Sequence, residues 1–192
     1  MLMLGIDEVG RGSIAGPIVV GAVVLHKDIE GLKDSKLLSF KKRLYYDSVI
    51  RAEAKYIGLG WVEPSELDAI GLSRSLELAS ERALEGLNFK VELTIIDGTV
   101  NFLHGRLNST AIIKADNLVN SVSAASIVAK VARDNYMIGL AKDYPNYWFD
   151  KNVGYCTKQH LAAVIANGAC IQHRLSFEPI KSLVKDRKIA LV

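Results

Sequence analysis

The sequence is short of the features that mark several protein classes. Only two of its 192 residues are cysteine, Cys156 and Cys170, and they form neither a CxxC pair nor a Cys/His ligand spacing. A disulfide framework and a structural zinc site are therefore excluded. Proline occupies four positions, no low-complexity tract occurs, and 49% of residues are hydrophobic against 23% charged. That balance excludes intrinsic disorder and collagen-like or coiled-coil fibres. Long apolar runs are missing too: the longest, Ile14 to Leu25, is broken by Gly16, Pro17 and Gly21 and is too short to span a membrane. No basic stretch precedes the acidic pair Asp7-Glu8, so no signal peptide is expected and the expected location is cytoplasmic. Excess charge of one sign is also lacking, since the net charge is only +3, too little by itself to argue for nucleic acid.

What is present is a division. Residues 1–150 carry 17 basic and 19 acidic residues, whereas 151–192 carry 7 basic and 2 acidic. A near-neutral body with a basic tail needs an explanation. The length suits one domain, because two halves would each be poor in core.

Apolar patterning predicts alternating elements. Leu2 to Glu8 reads as a strand, followed by the glycine-dense turn Gly10 to Gly16 and a Val/Ile-rich strand from Pro17 to Leu25. With so short a loop, the two are expected to form an antiparallel hairpin. Ser39 to Ala54 suits a helix capped by Ser39, Lys55 to Val62 a third strand, and the stretch from Pro64 to about Gly86 a helix. Val91 to Ile96 and Thr110 to Lys114 read as further strands. Ser121 to Ala141 reads as a long helix whose small residues permit close packing, and Thr157 to Ala166 as a helix capped by Thr157 and stopped near Gly168. The stretch from Ser176 is basic and fits either a packed helix or a mobile arm. The whole is an α/β arrangement with a mixed sheet covered by helices.

Four acids stand where that sheet would end. Asp7 and Glu8 close one apolar strand, Asp97 closes Leu93-Thr94-Ile95-Ile96, and Asp116 follows Ile112-Ile113-Lys114-Ala115. Carboxylates beside buried strands are costly unless paired or metal-bound. Each alone reads as a solvated strand end; all four together point to a divalent cation, since strand termini of one sheet can converge. Adjacent strand residues point to opposite faces, so Asp7 and Glu8 share a site only if the pleat relaxes before Gly10 or the Glu8 carbonyl takes part. Gly10-Arg11-Gly12 allows close backbone approach to a ligand and adds a fork suited to phosphate, or is simply a hairpin turn with an exposed arginine. It matches neither a P-loop nor a dinucleotide fingerprint.

These motifs, in this order and spacing, resemble prokaryotic ribonuclease HII over nearly the whole chain. The matching segments are Gly-Ile-Asp-Glu-Val-Gly-Arg-Gly (5–12) with Ala-Gly-Pro (15–17), and Asp-Ser-Lys-Leu (34–37). Ile-Asp-Gly (96–98), Lys-Ala-Asp (114–116) and Ser-Ala-Ala-Ser-Ile-Val-Ala-Lys-Val-Ala-Arg-Asp (123–134) follow. Near the end come Gly-Tyr-Cys-Thr-Lys-Gln-His (154–160) and His-Arg-Leu-Ser-Phe (173–177). The resemblance implies one RNase H-like nuclease domain over 1–192: a five-stranded mixed sheet flanked by helices, with a helical C-terminal extension at about 151–192. It implies a Mg²⁺- or Mn²⁺-dependent endonuclease with a two-metal-type mechanism that hydrolyses the RNA strand of RNA–DNA hybrids. It further implies incision 5′ of single ribonucleotides in duplex DNA, leaving 3′-hydroxyl and 5′-phosphate ends, by a monomer with no membrane association.

Residue by residue, Asp7, Glu8, Asp97 and Asp116 match the metal-binding carboxylates. Gly10, Arg11 and Gly12 match the loop that contacts the ribose 2′-hydroxyl, Tyr155 the ring that stacks on the adjoining deoxyribose, and Lys36 a phosphate contact. Taken alone, Lys36 would be an exposed lysine and Tyr155 a packing residue. Asp134 matches a recurring acid outside the metal set and is read as structural. His160 and His173 are read as structural or phosphate-contacting. The tail cations Lys158, Arg174, Lys181, Lys185, Arg187 and Lys188 could hold a duplex backbone, or line a solvated helix face. The alternatives are ribonuclease HIII, which usually carries an extra N-terminal domain and a lysine in the glycine loop, and a catalytically silent nucleic-acid-binding module.

Overall fold

Why the chain folds around residues 3–25 is visible in burial: every residue of Ile18–Leu25 is buried, and so are most of Met3–Val9. In the computed structural model, which describes residues 2–32 and 38–192, these are strands β1 (Met3–Val9) and β2 (Ile18–Leu25). They pair antiparallel from Leu4 opposite Val24 to Val9 opposite Val19, the expected hairpin. Strands β3 (Ala54–Val62), β4 (Leu93–Asp97) and β5 (Ser109–Ile112) complete a five-stranded sheet in the order β3-β2-β1-β4-β5. β1 runs parallel to β4, and β4 parallel to β5, so the sheet is mixed.

The helices are α1 (Phe40–Glu53), α2 (Pro64–Leu84), α3 (Asn120–Leu140), α4 (Phe149–Asn152), α5 (Lys158–Asn167) and α6 (Ile180–Lys185). The expected caps form: Ser39 accepts from the Lys42 N–H and Thr157 from the His160 N–H. One expectation needs amending. The apolar stripe from Pro64 predicts an unbroken helix, but α2 is two helices joined at Gly71, whose φ of 78° and ψ of 166° are non-helical. An L side chain rarely adopts that conformation, and glycine does so readily.

The chain divides into two compact units. The first comprises residues 1–9, 19–61 and 76–131; the second comprises 10–18, 62–75 and 132–192. β1, β4 and β5 lie wholly in the first unit, as do β2 after Ile18 and β3 up to Trp61, and the unit has its own core of Val23, Ile50, Ala124, Ile127 and Val128. β3 lies directly against α2 there: a side chain at Gly58 or Gly60 would collide with the carbonyls of Ala83 and Ala79. The second unit is built on Ile14, Met137, Tyr147, Phe149, Val164 and Ile180. Its tail is packed, which settles the choice between helix and arm. Ile180 is fully buried, Val184 and Ile189 pack on the same core, and Val192 donates to the Ala169 carbonyl.

Candidate functional site

In the first unit, three separate stretches of sequence bring carboxylates together. Asp7 is the fifth residue of β1, Asp97 ends β4, and Asp116 sits in a short 3₁₀ turn (Ala115–Asn117) just beyond β5. One oxygen from each lies within 4.8 Å of the other two. Their orientation is fixed by local bonds. Asp97 accepts from the Ala115 N–H at 2.7 Å, Asp116 from the Asn117 side-chain amide at 2.9 Å, and Asp7 from the Glu8 N–H at 2.8 Å. The Ser123 hydroxyl donates to the Asp116 carbonyl at 2.6 Å and so pins the turn to α3.

Glu8 stands differently. β1 keeps regular pairing with β2 through both Asp7 and Glu8, so the pleat does not relax, and Glu8 is not one of the three converging acids. Its charge is still felt. Burial, the Glu8 carboxylate and the Asp97 carboxylate together push Asp7 up to about 8, against hydrogen bonds from Ser126 and the Glu8 N–H. A cluster of oxygen donors whose ionised form is opposed in this way fits a hard divalent cation, which would supply the compensating charge. Asp7, Asp97 and Asp116 could hold such an ion.

In the second unit, the glycine turn is held from inside. Gly10 has φ 85°, and a side chain there would run into the Arg133 guanidinium. Gly12 is the opposite case: it is exposed, has no positive φ, and an added Cβ would meet no atom of the described residues within 4 Å beyond its chain neighbours. The fold does not require glycine there. Two guanidiniums, each fully shielded from solvent, grip the turn. Arg174 donates to the carbonyls of Gly10 at 2.7 Å, Gly16 at 2.9 Å and Arg11 at 3.3 Å. Arg133 donates to Pro17 at 2.9 Å, Ala15 at 3.1 Å and Val153 at 2.8 Å. Burial and the neighbouring Arg133 charge bring Arg174 down to about 9, so it remains a cation at neutral pH.

Tyr155 is on the same unit, 37% exposed, with the centre of its ring 5.7 Å from the Arg133 guanidinium carbon. It follows Val153 and Gly154, both left-handed, and the Gly154 carbonyl accepts from Ile14 and Ala15. The turn carrying Gly10, Arg11 and Gly12 and the turn carrying Tyr155 are thus tied together through Arg133 and Gly154. Lys36 lies outside the described residues.

Sequence reasoning missed both arginines as organisers. It placed Arg174 among tail cations facing a duplex, and the structure corrects this: Arg174 is buried because carbonyls of the glycine turn take its guanidinium. Lys158, Lys181, Lys185, Arg187 and Lys188 are exposed as expected. A usable signal for Arg133 was its place in a helix otherwise rich in alanine and valine.

The profile of the family described as Ribonuclease HII matches residues 4–180. The chain belongs to the ribonuclease HII family. A curated ribonuclease HII of Shewanella halifaxensis is 44% identical over 179 residues, covering 92% of this chain and 88% of its own length. One from Staphylococcus aureus is 42% identical over 185 residues, covering 95% and 72%. Among solved structures, the ribonuclease H2 of Pyrococcus horikoshii superposes with a TM-score of 0.80 at 26% identity, covering 98% of this chain and 99% of that one. The fold is RNase H-like, and the protein is an endonuclease of the ribonuclease HII type, acting on RNA-containing nucleic acid. Ribonucleases of this kind use divalent metal ions, and the acidic trio fits such a site. No helix among the described residues is long and apolar enough to cross a membrane.

Proposed function

We propose that this ribonuclease HII hydrolyses the RNA strand of RNA–DNA hybrids and incises 5′ of single ribonucleotides embedded in duplex DNA, leaving 3′-hydroxyl and 5′-phosphate ends. It does so as one cytoplasmic, monomeric nuclease domain over residues 1–192. The observation that carries the reading is the convergence of Asp7, Asp97 and Asp116 with Asp7 held up at about 8. Such a set is poorly suited to stay charged by itself and well suited to Mg²⁺ or Mn²⁺. Asp7, Asp97 and Asp116, with Glu8 beside them, would hold the metal. When bound, divalent ions in such sites activate water and stabilise the leaving oxygen of a phosphodiester, by a two-metal-type mechanism.

The chain's own groups do the rest. Ala115 N–H, Asn117 and Ser123 hold Asp97 and Asp116 in place, so no reorientation is needed when substrate arrives. Gly10, Arg11 and Gly12 contact the ribose. The 2′-hydroxyl is what separates RNA from DNA, and the open space at Gly12 supports an approach by the sugar-phosphate backbone that a side chain would obstruct. Tyr155 lies against the neighbouring deoxyribose, where an added hydroxyl would crowd its ring. Lys36 and the exposed tail lysines contact phosphates.

The deciding test is a DNA duplex with one ribonucleotide, incubated with Mg²⁺ or Mn²⁺ beside a continuous hybrid. Incision 5′ of the ribonucleotide with the stated ends is expected. No cleavage by well-folded protein overturns the reading, and cleavage of the continuous hybrid alone replaces it with ribonuclease HIII-like selectivity.

A further inference from the structure

Two histidines lie buried in the second unit and take no part in the carboxylate chemistry. We propose that His160 and His173 form a one-way hydrogen-bond chain that positions the Tyr155 turn, and so set how strongly the enzyme prefers a single ribonucleotide over a continuous hybrid. This rests on the reading of Tyr155 as the residue against deoxyribose.

The direction of the chain follows from its ends. His160 Nδ1 is 2.9 Å from the Tyr155 carbonyl oxygen. A carbonyl only accepts, so His160 carries its proton on Nδ1. Its Nε2 then accepts, and the group 3.2 Å away is His173 Nε2, which must donate. His173 Nδ1 is left as an acceptor, and the Cys170 backbone N–H donates to it at 3.0 Å. The Cys170 carbonyl and Sγ lie 3.3 Å and 3.2 Å from the same nitrogen, but a neutral His173 protonated on Nε2 has no proton on Nδ1 to give either, and the thiol can only donate to it. One arrangement of protons therefore satisfies every link: Cys170 N–H to His173, His173 to His160, His160 to Tyr155.

Neither ring can take a second proton without opposing two donors across one of these contacts. Burial acts in the same sense, lowering His160 and holding His173 at about 4, with the His160 charge adding to the effect on His173. The rings are also immobilised sideways. His173 packs against Tyr147 with centroids 4.8 Å apart, and His160 meets the edge of Phe149 at 5.5 Å. The Tyr155 carbonyl already accepts from the Thr157 N–H at 2.8 Å. Thr157 sits only two residues on and fixes the turn locally, whereas the histidine chain ties Tyr155 to the distant Ala169–His173 segment.

Two substitutions separate positioning from packing. The amide of asparagine reaches roughly where imidazole Nδ1 sits, so His160→Asn keeps a donor for Tyr155; the amide of glutamine reaches the Nε2 position, so His160→Gln loses it. The readout is the ratio of single-ribonucleotide incision to continuous-hybrid cleavage, each as kcat/KM. His160→Gln should lower the ratio about threefold to tenfold, the scale of one neutral hydrogen bond. His160→Asn should leave it within about twofold, and the glutamine effect should vanish in a Tyr155→Ala background.

A wild-type ratio for both His160 variants, while Tyr155→Ala lowers it, overturns the proposal and leaves the Tyr155 reading standing. Equal loss in both variants also overturns it, because the donor to Tyr155 would then be immaterial. An unchanged ratio in Tyr155→Ala instead sinks the Tyr155 reading, and this role with it. Independently of any variant, ¹⁵N NMR of the wild-type imidazoles at neutral pH should show His160 protonated on Nδ1 and His173 on Nε2. A charged ring, or His160 protonated on Nε2, would refute the chain.

Discussion

The carboxylate trio and the arginine-held glycine turn are both buried polar clusters, yet they are satisfied in opposite ways. Around Arg133 and Arg174, two like charges oppose one another but are offset by neutral dipoles: the guanidiniums converge on the carbonyls of Gly10, Arg11, Ala15, Gly16, Pro17 and Val153. Around Asp7, charge is met by more charge of the same sign, from Glu8 and Asp97. The first arrangement is met largely by the protein's own carbonyls, with Arg174 Nη2 left without a partner among the described residues, and it stiffens the turn. The second is incomplete without a cation, which is how a binding site differs from a brace when both are buried.

The sharpest way to break this comparison is Asp7→Asn. Activity with Mg²⁺ should fall on the order of 10³-fold or more, while metal-free stability should rise. Asp7 has a folded-state value near 8 against an unfolded one of 3.8, so folding at neutral pH requires this acid to take up a proton, and asparagine removes that requirement. The gain should be about 2–4 kcal/mol at pH 7, read by denaturant unfolding in a chelator. Mg²⁺ should raise the melting temperature of the wild type more than that of the variant. A destabilised Asp7→Asn protein would mean the acids are a brace after all.

On the other side, Arg174→Met should destabilise by about 3 kcal/mol, because several buried carbonyls lose their donor at once. Unfolding curves check this, and a neutral result would show that the turn holds without its guanidinium.

Acid should strike the second unit. His173 is held near 4 in the fold against 6.5 when unfolded. A depressed value means that its contribution is fully present above pH 6.5 and is lost as pH falls through 4, amounting to about 3 kcal/mol. In an Asp7→Asn background, where the opposite pH dependence of Asp7 is absent, stability measured between pH 7 and 4 should decline accordingly, and His173→Gln should flatten that decline. An unchanged slope in the variant would exclude His173 as its source.

The smallest structural effect is expected at Gly12. Gly12→Ala should alter stability by less than about 0.5 kcal/mol, as the new methyl touches nothing. Incision at a single ribonucleotide should nonetheless fall about tenfold, in keeping with a lost or crowded hydrogen bond to the sugar. Full activity would remove Gly12 from the substrate-contacting loop.

Much of this was legible in the sequence because it is local. The hairpin, the strands carrying Asp7 and Asp97, and the Ser39 and Thr157 caps follow from patterns within a few residues, although β1 runs past Asp7 and Glu8 to Val9 rather than ending on them. Asp116 was legible by its place after an apolar run, although it stands in a 3₁₀ turn beyond the strand rather than in it. The arginine brace was not legible. Arg174 and Gly10 are 164 positions apart, and no periodicity records which carbonyls a buried guanidinium will meet. The imidazole chain was hidden for the same reason, since its direction depends on a backbone oxygen at one end and a backbone N–H at the other. The break at Gly71 went unseen because the apolar stripe continues past it.

Gly58 and Gly60 carry a consequence of another kind. β3 is an edge strand, with β2 as its only sheet neighbour among the described residues, and edge strands are where alignment errors and unwanted pairing begin. These alternate positions rest on the bare carbonyls of Ala83 and Ala79. A one-residue slip would turn Ile57, Leu59 or Trp61 towards that same backbone, where no side chain fits. The two glycines act as a register key, cut so that the strand enters its slot in one alignment.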